Sequence, residues 1–211
     1  MCHLSYLPGA LLLSLALATP AMGQRVERLP APSPAECDAA AGAGPLRARD
    51  YGEALFTLSI CPVRGAEALL AEWETPPSDR VALDALGEAS RTMRDQRLFN
   101  GIATRALADG TPPDQRHALV NVLIGYVDRS TRVWFEGGCW EYAVSTASPL
   151  VTDGSQPLDR AQTDRRVLEI VRALESRGLL GTKALCAQKL SQWVDSRVNP
   201  VRPDPSRPPR Q

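Results

Sequence analysis

Four aromatic residues and two carboxylates crowd one short stretch of this chain. Trp134, Phe135, Trp140 and Tyr142 fall within nine residues, interleaved with Glu136 and Glu141. Two carboxylates are the minimum equipment for general acid and base work, and acids beside tryptophans suit glycoside chemistry. Asp153 follows in the same irregular stretch. Such chemistry needs a carboxyl group perturbed by its surroundings, and solvated loop charges are the plainer reading of Glu136 and Glu141. The aromatics point to binding instead. Displayed on the surface, large rings mark a site for a peptide, a glycan or a partner protein. The competing expectation is that they fill the gap between two helical blocks, since large aromatics are mostly buried.

The other reactive residue types lack company. His117 is the one histidine beyond the first few residues, and a lone imidazole supplies neither a triad nor a metal site. Ser130, Ser145 and Ser155 have no nucleophile-elbow context, and GxSxG, HExxH, P-loop and GxGxxG patterns are absent from the sequence. The charged residues balance at 24 of each sign, which argues against a dedicated nucleic-acid binder. No catalytic residue, metal ligand or cofactor is therefore assigned. Enzymatic activity is left open, with a non-enzymatic role favoured.

The elements that position these residues are preceded by an export signal. Leu11 to Ala18 is almost wholly apolar and Ala21-Met22-Gly23 supplies small residues before Gln24, the layout of a signal peptide over residues 1–23 cleaved near Gly23–Gln24. Residues 1–8 hold no Lys or Arg, so an uncleaved anchor is the alternative. Cleavage removes Cys2 and leaves Cys37, Cys61, Cys139 and Cys186. An even count in an exported chain reads as two disulfides, with three connectivities open. The pairing Cys37–Cys61 with Cys139–Cys186 is favoured, because each bridge then joins a flanking segment to a helix. A periplasmic or secreted location follows, with no stable membrane insertion after cleavage. Arginine far outnumbers lysine, which occurs only at 183 and 189. That bias, with abundant Ala and Pro, suggests a GC-rich bacterial source.

Residues 24–49 read as a linker with one short alanine-rich helix around Cys37. From residue 50 to 198 apolar residues recur at helical spacing: Tyr51, Ala54, Leu55, Leu58 and Cys61; Ala66, Leu69, Leu70 and Trp73; Val81, Ala85, Leu86 and Ala89; Leu98, Phe99, Ile102 and Ala106; Ala118, Leu119, Val122, Leu123 and Tyr126; Val167, Ile170, Val171 and Leu174. Asp50, Ser78 and Thr111 are the expected caps, and a helix is expected to start at Asp95. A last helix is expected from Thr182, with Cys186, Leu190, Trp193 and Val194 on one face. Residues 130–157 break the rhythm and read as a long loop with a short helix near Trp140–Thr146. From 199 to 211 a Pro/Arg tail follows.

One pattern occurs twice. Thr75-Pro76-Pro77, with Arg80, Ala82 and Leu83 behind it, returns 36 residues later as Thr111-Pro112-Pro113 with Arg116, Ala118 and Leu119. That period fits a helix-hairpin repeat. The run Asp79-Arg80-Val81-Ala82-Leu83-Asp84-Ala85-Leu86-Gly87, and the weaker Gln115-Arg116-His117-Ala118-Leu119, resemble the D-x-x-V-R-x-x-A-x-x-A-L-G run of bacterial HEAT-type repeats, mainly over residues 62–128. The resemblance implies an all-α fold of antiparallel helical hairpins stacked as a short HEAT-like array, interrupted by the 130–157 loop. It also implies a scaffold or protein-binding role with a protein partner in the cell envelope. Two alternatives stand beside it: a small envelope hydrolase using Glu136 and Glu141, and a peptide- or glycan-binding module using the aromatic stretch. The sequence does not specify an oligomeric state.

Overall fold

The computed structural model describes residues 32–42, 51–144, 151–184 and 186–200. The expected signal peptide, most of the linker, the expected cap Asp50, residues 145–150 and the tail from 201 lie outside the described residues. Those described form eight helices and four short strands: α1 (Pro34–Gly42), α2 (Tyr51–Ser59), α3 (Arg64–Glu74), α4 (Arg80–Thr92), β1 (Met93–Arg94), α5 (Gln96–Leu107), α6 (Pro113–Val127), β2 (Thr131–Glu136), β3 (Cys139–Val144), β4 (Thr152–Asp153), α7 (Arg160–Ser176) and α8 (Leu190–Val198). The fold is largely α-helical. It is not purely so, because β2 and β3 pair antiparallel and β1 and β4 pair parallel.

Local chemistry explains the helix starts. Asp79, rather than the expected Ser78, caps α4 by accepting from the Ala82 amide at 2.9 Å. Asp95 caps α5 through the Arg97 and Leu98 amides, and Asp159 caps α7 through that of Gln162. Each carboxylate satisfies orphan amide donors at the positive end of a helix dipole. At the start of α6 the cap position is held by Pro112, not Thr111, whose hydroxyl donates to the Arg105 carbonyl instead. The other end of α5 is sealed by Arg116, a buried side chain that donates to the carbonyls of Ala106 and Ala108 at 3.1 and 2.8 Å.

The helices touch in an ordered way. α1 packs on α2, α3 on α4, α5 on α6 and α7 on α8; α1, α3, α5 and α7 also touch in succession, as do α2, α4, α6 and α8. The apolar stripes meet in one buried cluster. Leu58, Leu69, Leu86, Leu98, Ile102, Leu119, Leu123, Val171 and Leu174 are almost wholly excluded from water. α6 is buried on nearly every side, since Val120 and Ile124 join the expected stripe. Two buried hydrogen bonds tie helices together inside: the Trp73 indole donates to the Ser90 hydroxyl at 2.9 Å, and the Tyr126 hydroxyl to the Ser90 carbonyl at 2.8 Å. Val81, expected to face inward, is 76% exposed. It lies in the first turn of α4.

Gly65 marks the closest approach of α3 to α2. A Cβ there would overlap the Leu58 carbonyl oxygen and the Met93 methyl group. Backbone cannot move aside cheaply, so Gly65→Ala is expected to lower stability by about 2 kcal/mol, the usual scale of overpacking. Urea denaturation checks this, and an unchanged midpoint would show that the α2–α3 contact is looser than described.

Among the described residues of the 130–157 stretch, the expected short helix near Trp140–Thr146 is replaced by strand over Cys139–Val144. Residues 131–144 form the β2–β3 hairpin, turned by Gly137 and Gly138, both with positive φ. The two glycines allow the mirror-image turn that matches strand twist. The later part, 152–157, is held at the start of α5 by Asp95. That carboxylate is completely buried and accepts from the Ser155 hydroxyl and the Gln156 amide as well as from its helix. Nor does the last helix start at Thr182: α8 begins at Leu190. Residues 181–183 depart from helix at Gly181, whose φ is 63°, and the Lys183 amide donates to the Gly138 carbonyl on the hairpin turn. Two disulfides staple these parts, Cys37–Cys61 and Cys139–Cys186, with Cα separations of 5.9 and 5.6 Å.

Candidate functional site

Strand alternation sorts the aromatic and acidic residues that the sequence brings together. Side chains at successive strand positions point to opposite faces, and the register pairs Trp134 with Glu141, Phe135 with Trp140 and Glu136 with Cys139. Trp134, Glu136 and Glu141 therefore share the outer face. Phe135, Trp140 and Tyr142 share the inner face, packed on the core. Trp140 is 4% exposed, so it is part of the packing between hairpin and helices. Tyr142 stacks on Trp193 of α8 at 5.1 Å, with the Arg197 guanidinium 5.2 Å from the Trp193 ring. Burial, reinforced by the Glu175 and Glu141 charges, pushes the Tyr142 hydroxyl up to about 12. Of the four aromatics only Trp134 turns outward, half-buried, its indole donating to Glu136 Oε2 at 3.1 Å.

His117 holds the hairpin to α6. Its ring lies 4.2 Å from that of Phe135 and 5.4 Å, edge-on, from that of Trp140. Burial pulls its pKa below the ordinary 6.5, aided by Arg116 and opposed by Asp114 and the Leu180 backbone. The unfolded chain then binds a proton more readily than the folded one. The stability contributed by the neutral ring is complete above pH 6.5 and is lost as pH falls from there through the depressed folded value. Wild-type protein is expected to lose more of its urea midpoint between pH 7 and pH 5 than His117→Gln does. Equal losses would remove His117 as the cause.

The carboxylates do not gather into an acid–base pair enclosed by protein. Glu136 and Glu141 are both exposed, and Asp153 belongs to the other sheet, opposite Arg94. Among the described residues no group of three His, Cys, Asp or Glu side chains is placed to hold a metal ion, and no helix is long and apolar enough to cross a membrane.

A groove does form along the edge of β2 away from β3. One wall is α4, presenting Arg80, Asp84 and Glu88; the floor is α6, with Asn121; the other wall is β2, from Arg132 to Glu136. This part encloses about 490 Å³. It continues into a second hollow of about 240 Å³ that reaches Asp114, His117 and Phe135. The groove is bridged near one end, where Glu88 pairs with Arg132 at 3.3 Å and with Arg91 at 3.4 Å. Arg91 is buried at this end and donates to the Thr131 carbonyl, and burial lowers its pKa below the ordinary arginine value. Gly125 makes room for it, since a Cβ there would overlap the guanidinium stem.

Of the residues lining this groove, the sequence singles out Trp134, Phe135 and Glu136. It misses Arg80, Asp84, Glu88, Asn121 and Arg132. One trace of them is legible: Arg80, Asp84, Glu88 and Arg91 recur every three or four residues on the polar side of an amphipathic helix. Asn121, a single amide within an otherwise apolar run, is another. No protein-family model, curated protein or solved structure matches the chain.

Proposed function

We propose that the chain is an exported, non-enzymatic interaction module of the bacterial cell envelope. HEAT-like helical hairpins form its scaffold, and the groove between α4, α6 and β2 receives a partner protein. The succession of contacts supports the scaffold reading: helices pair in order, and odd touches odd and even touches even along the chain, as stacked repeats do. The two Thr-Pro-Pro segments lie between α3 and α4 and at the start of α6. The single observation that carries the functional reading is the groove of about 490 Å³ with a charged helix on one side and a strand on the other. Helix-and-strand grooves of this kind are a recurring seat for polypeptide.

The hydrolase alternative has less support, because Glu136 and Glu141 stand exposed and Asp153 lies in a different sheet. The glycan alternative rests on Trp134 alone as an outward aromatic. Replacing Trp134 and Asn121 with Ala together is expected to leave thermal stability within a few degrees of wild type. Recovery of the partner from an envelope extract is expected to fall more than tenfold. Glu136→Gln combined with Glu141→Gln tests the hydrolase alternative directly. A hydrolytic activity abolished by that Gln pair, with the fold preserved, would overturn the interaction reading.

A further inference from the structure

Resting on the interaction reading, the geometry points to a particular mode of capture. An extended peptide carrying a lysine or arginine adds as a strand to the outer edge of β2, lying in the groove between that edge and α4. The phase of the hairpin decides which backbone groups face the groove. Gly137 and Gly138 make a two-residue turn closed by Glu136 and Cys139, and a pair closing such a turn exchanges both of its hydrogen bonds. Pairs then alternate along the ladder. Trp134 and Glu141 bond to each other, while Val133 and Phe135 turn their N–H and C=O groups away from β3.

Two observed contacts have that phase. The Val133 amide donates to Asn121 Oδ1 at 3.4 Å, and the Thr131 carbonyl accepts from Arg91 at 3.3 Å. Side chains thus occupy the first two stations of the edge. The next stations, the Val133 carbonyl and both backbone groups of Phe135, have no hydrogen-bond partner among the described residues, and these two residues line the hollow. An unpaired strand edge is a template for another strand, and α4 leaves space beside this one.

Charge selects the occupant. Glu88 is already committed to Arg91 and Arg132. Beyond that closed end, Asp84, Asp114 and Glu136 outnumber Arg80 along the groove. None of these three carboxylates has an ion pair among the described residues. A peptide that brings one or two cationic side chains gains three acceptors, and the exposed face of Trp134 is a surface for the apolar stem of a lysine or arginine.

The test uses the full oxidised chain as bait for a phage-displayed library of random dodecapeptides. The selected peptides are expected to be rich in Lys or Arg and to shift the amide signals of Val133 and Phe135 in proton–nitrogen spectra. N-methylation of the backbone nitrogens in the phase facing β2 is expected to abolish binding, and methylation in the other phase to leave it within threefold. Asp84→Asn with Asp114→Asn, both at exposed positions, is expected to reduce the preference for lysine over glutamate peptides at least tenfold. Strand addition to β2 is overturned by failure to select any peptide, by shifts at Trp140 and Tyr142 instead, or by equal sensitivity to both methylation phases. Cross-linking of a folded partner from groove positions would leave the wider interaction reading standing in each of those cases.

Discussion

Replacing Cys139 and Cys186 with serine is expected to lower the unfolding free energy by about 4 kcal/mol. The bridge closes a loop with a sequence separation of 47 residues, and the cross-link removes that much closure entropy from the unfolded chain. The Cys37–Cys61 bridge, with a separation of 24, is worth about 3.5 kcal/mol on the same reasoning. Together they rival the whole stability of a typical domain, about 5–15 kcal/mol. Full reduction is therefore expected to unfold the protein or leave it unfolding in very low urea. The two bridges act at different places. Cys139–Cys186 ties the hairpin turn to the segment before α8, where Lys183 crosses Gly138. Its loss is expected to speed amide exchange throughout β2 and β3. Cys37–Cys61 ties α1 to the end of α2. Non-reducing peptide mapping and urea titrations of the two double-serine variants check both statements. A bridge joining Cys37 to Cys139, or a loss under 1 kcal/mol for either variant, would contradict them.

Asp95→Asn is the second substitution expected to act strongly, at about 3 kcal/mol. The carboxylate accepts from the Arg97 and Leu98 amides, from the Ser155 hydroxyl and from the Gln156 amide, with Arg97 beside it. Asparagine keeps the shape and replaces one acceptor with a donor. At a position with 0% exposure, that sets an N–H against other N–H groups with no water to relieve it. Gly154 packs directly against the Asp95 side chain, so the site has no slack for rearrangement. A drop of roughly 6–12 °C in melting temperature corresponds to this cost for a domain of such size. Faster exchange at Gln156, Arg97 and Leu98 is the local signature. A variant that melts within 2 °C of wild type would show that the 152–157 segment is held by its other bonds, such as Thr152 to the Ser59 carbonyl.

The parts legible in the sequence were those whose signals are local. The Thr-Pro-Pro segments break the helical pattern before α4 and α6 because proline cannot continue a preceding helix, and Pro113 suits the first turn of α6. Asp95 marks where a helix begins, one residue before its first turn at Gln96. The positions of the cysteines beside helices favour the disulfide pairing. The hairpin was legible too, but only at the right period. Arg132, Trp134 and Glu136 alternate with Val133 and Phe135, and a Gly-Gly pair divides two stretches rich in aromatics and β-branched residues. A search for helical spacing passes over that signal. The start of α8 was obscured for the opposite reason. Cys186, Leu190, Trp193 and Val194 do recur at helical spacing, yet the first of them is held on the hairpin by its disulfide. The groove is the least legible feature. Its acids and arginines look like solvated helix and strand charges until α4 and β2 are set facing each other across α6.

The most direct measurement is site-specific photo-cross-linking in the native envelope. A benzophenone side chain is placed at Asp84 in the groove, or at Glu169 on an exposed position of α7. The interaction account predicts one discrete protein adduct from Asp84, lost when Trp134 and Asn121 are both alanine, and none from Glu169. No adduct from Asp84, or the same adduct from both positions, would contradict it.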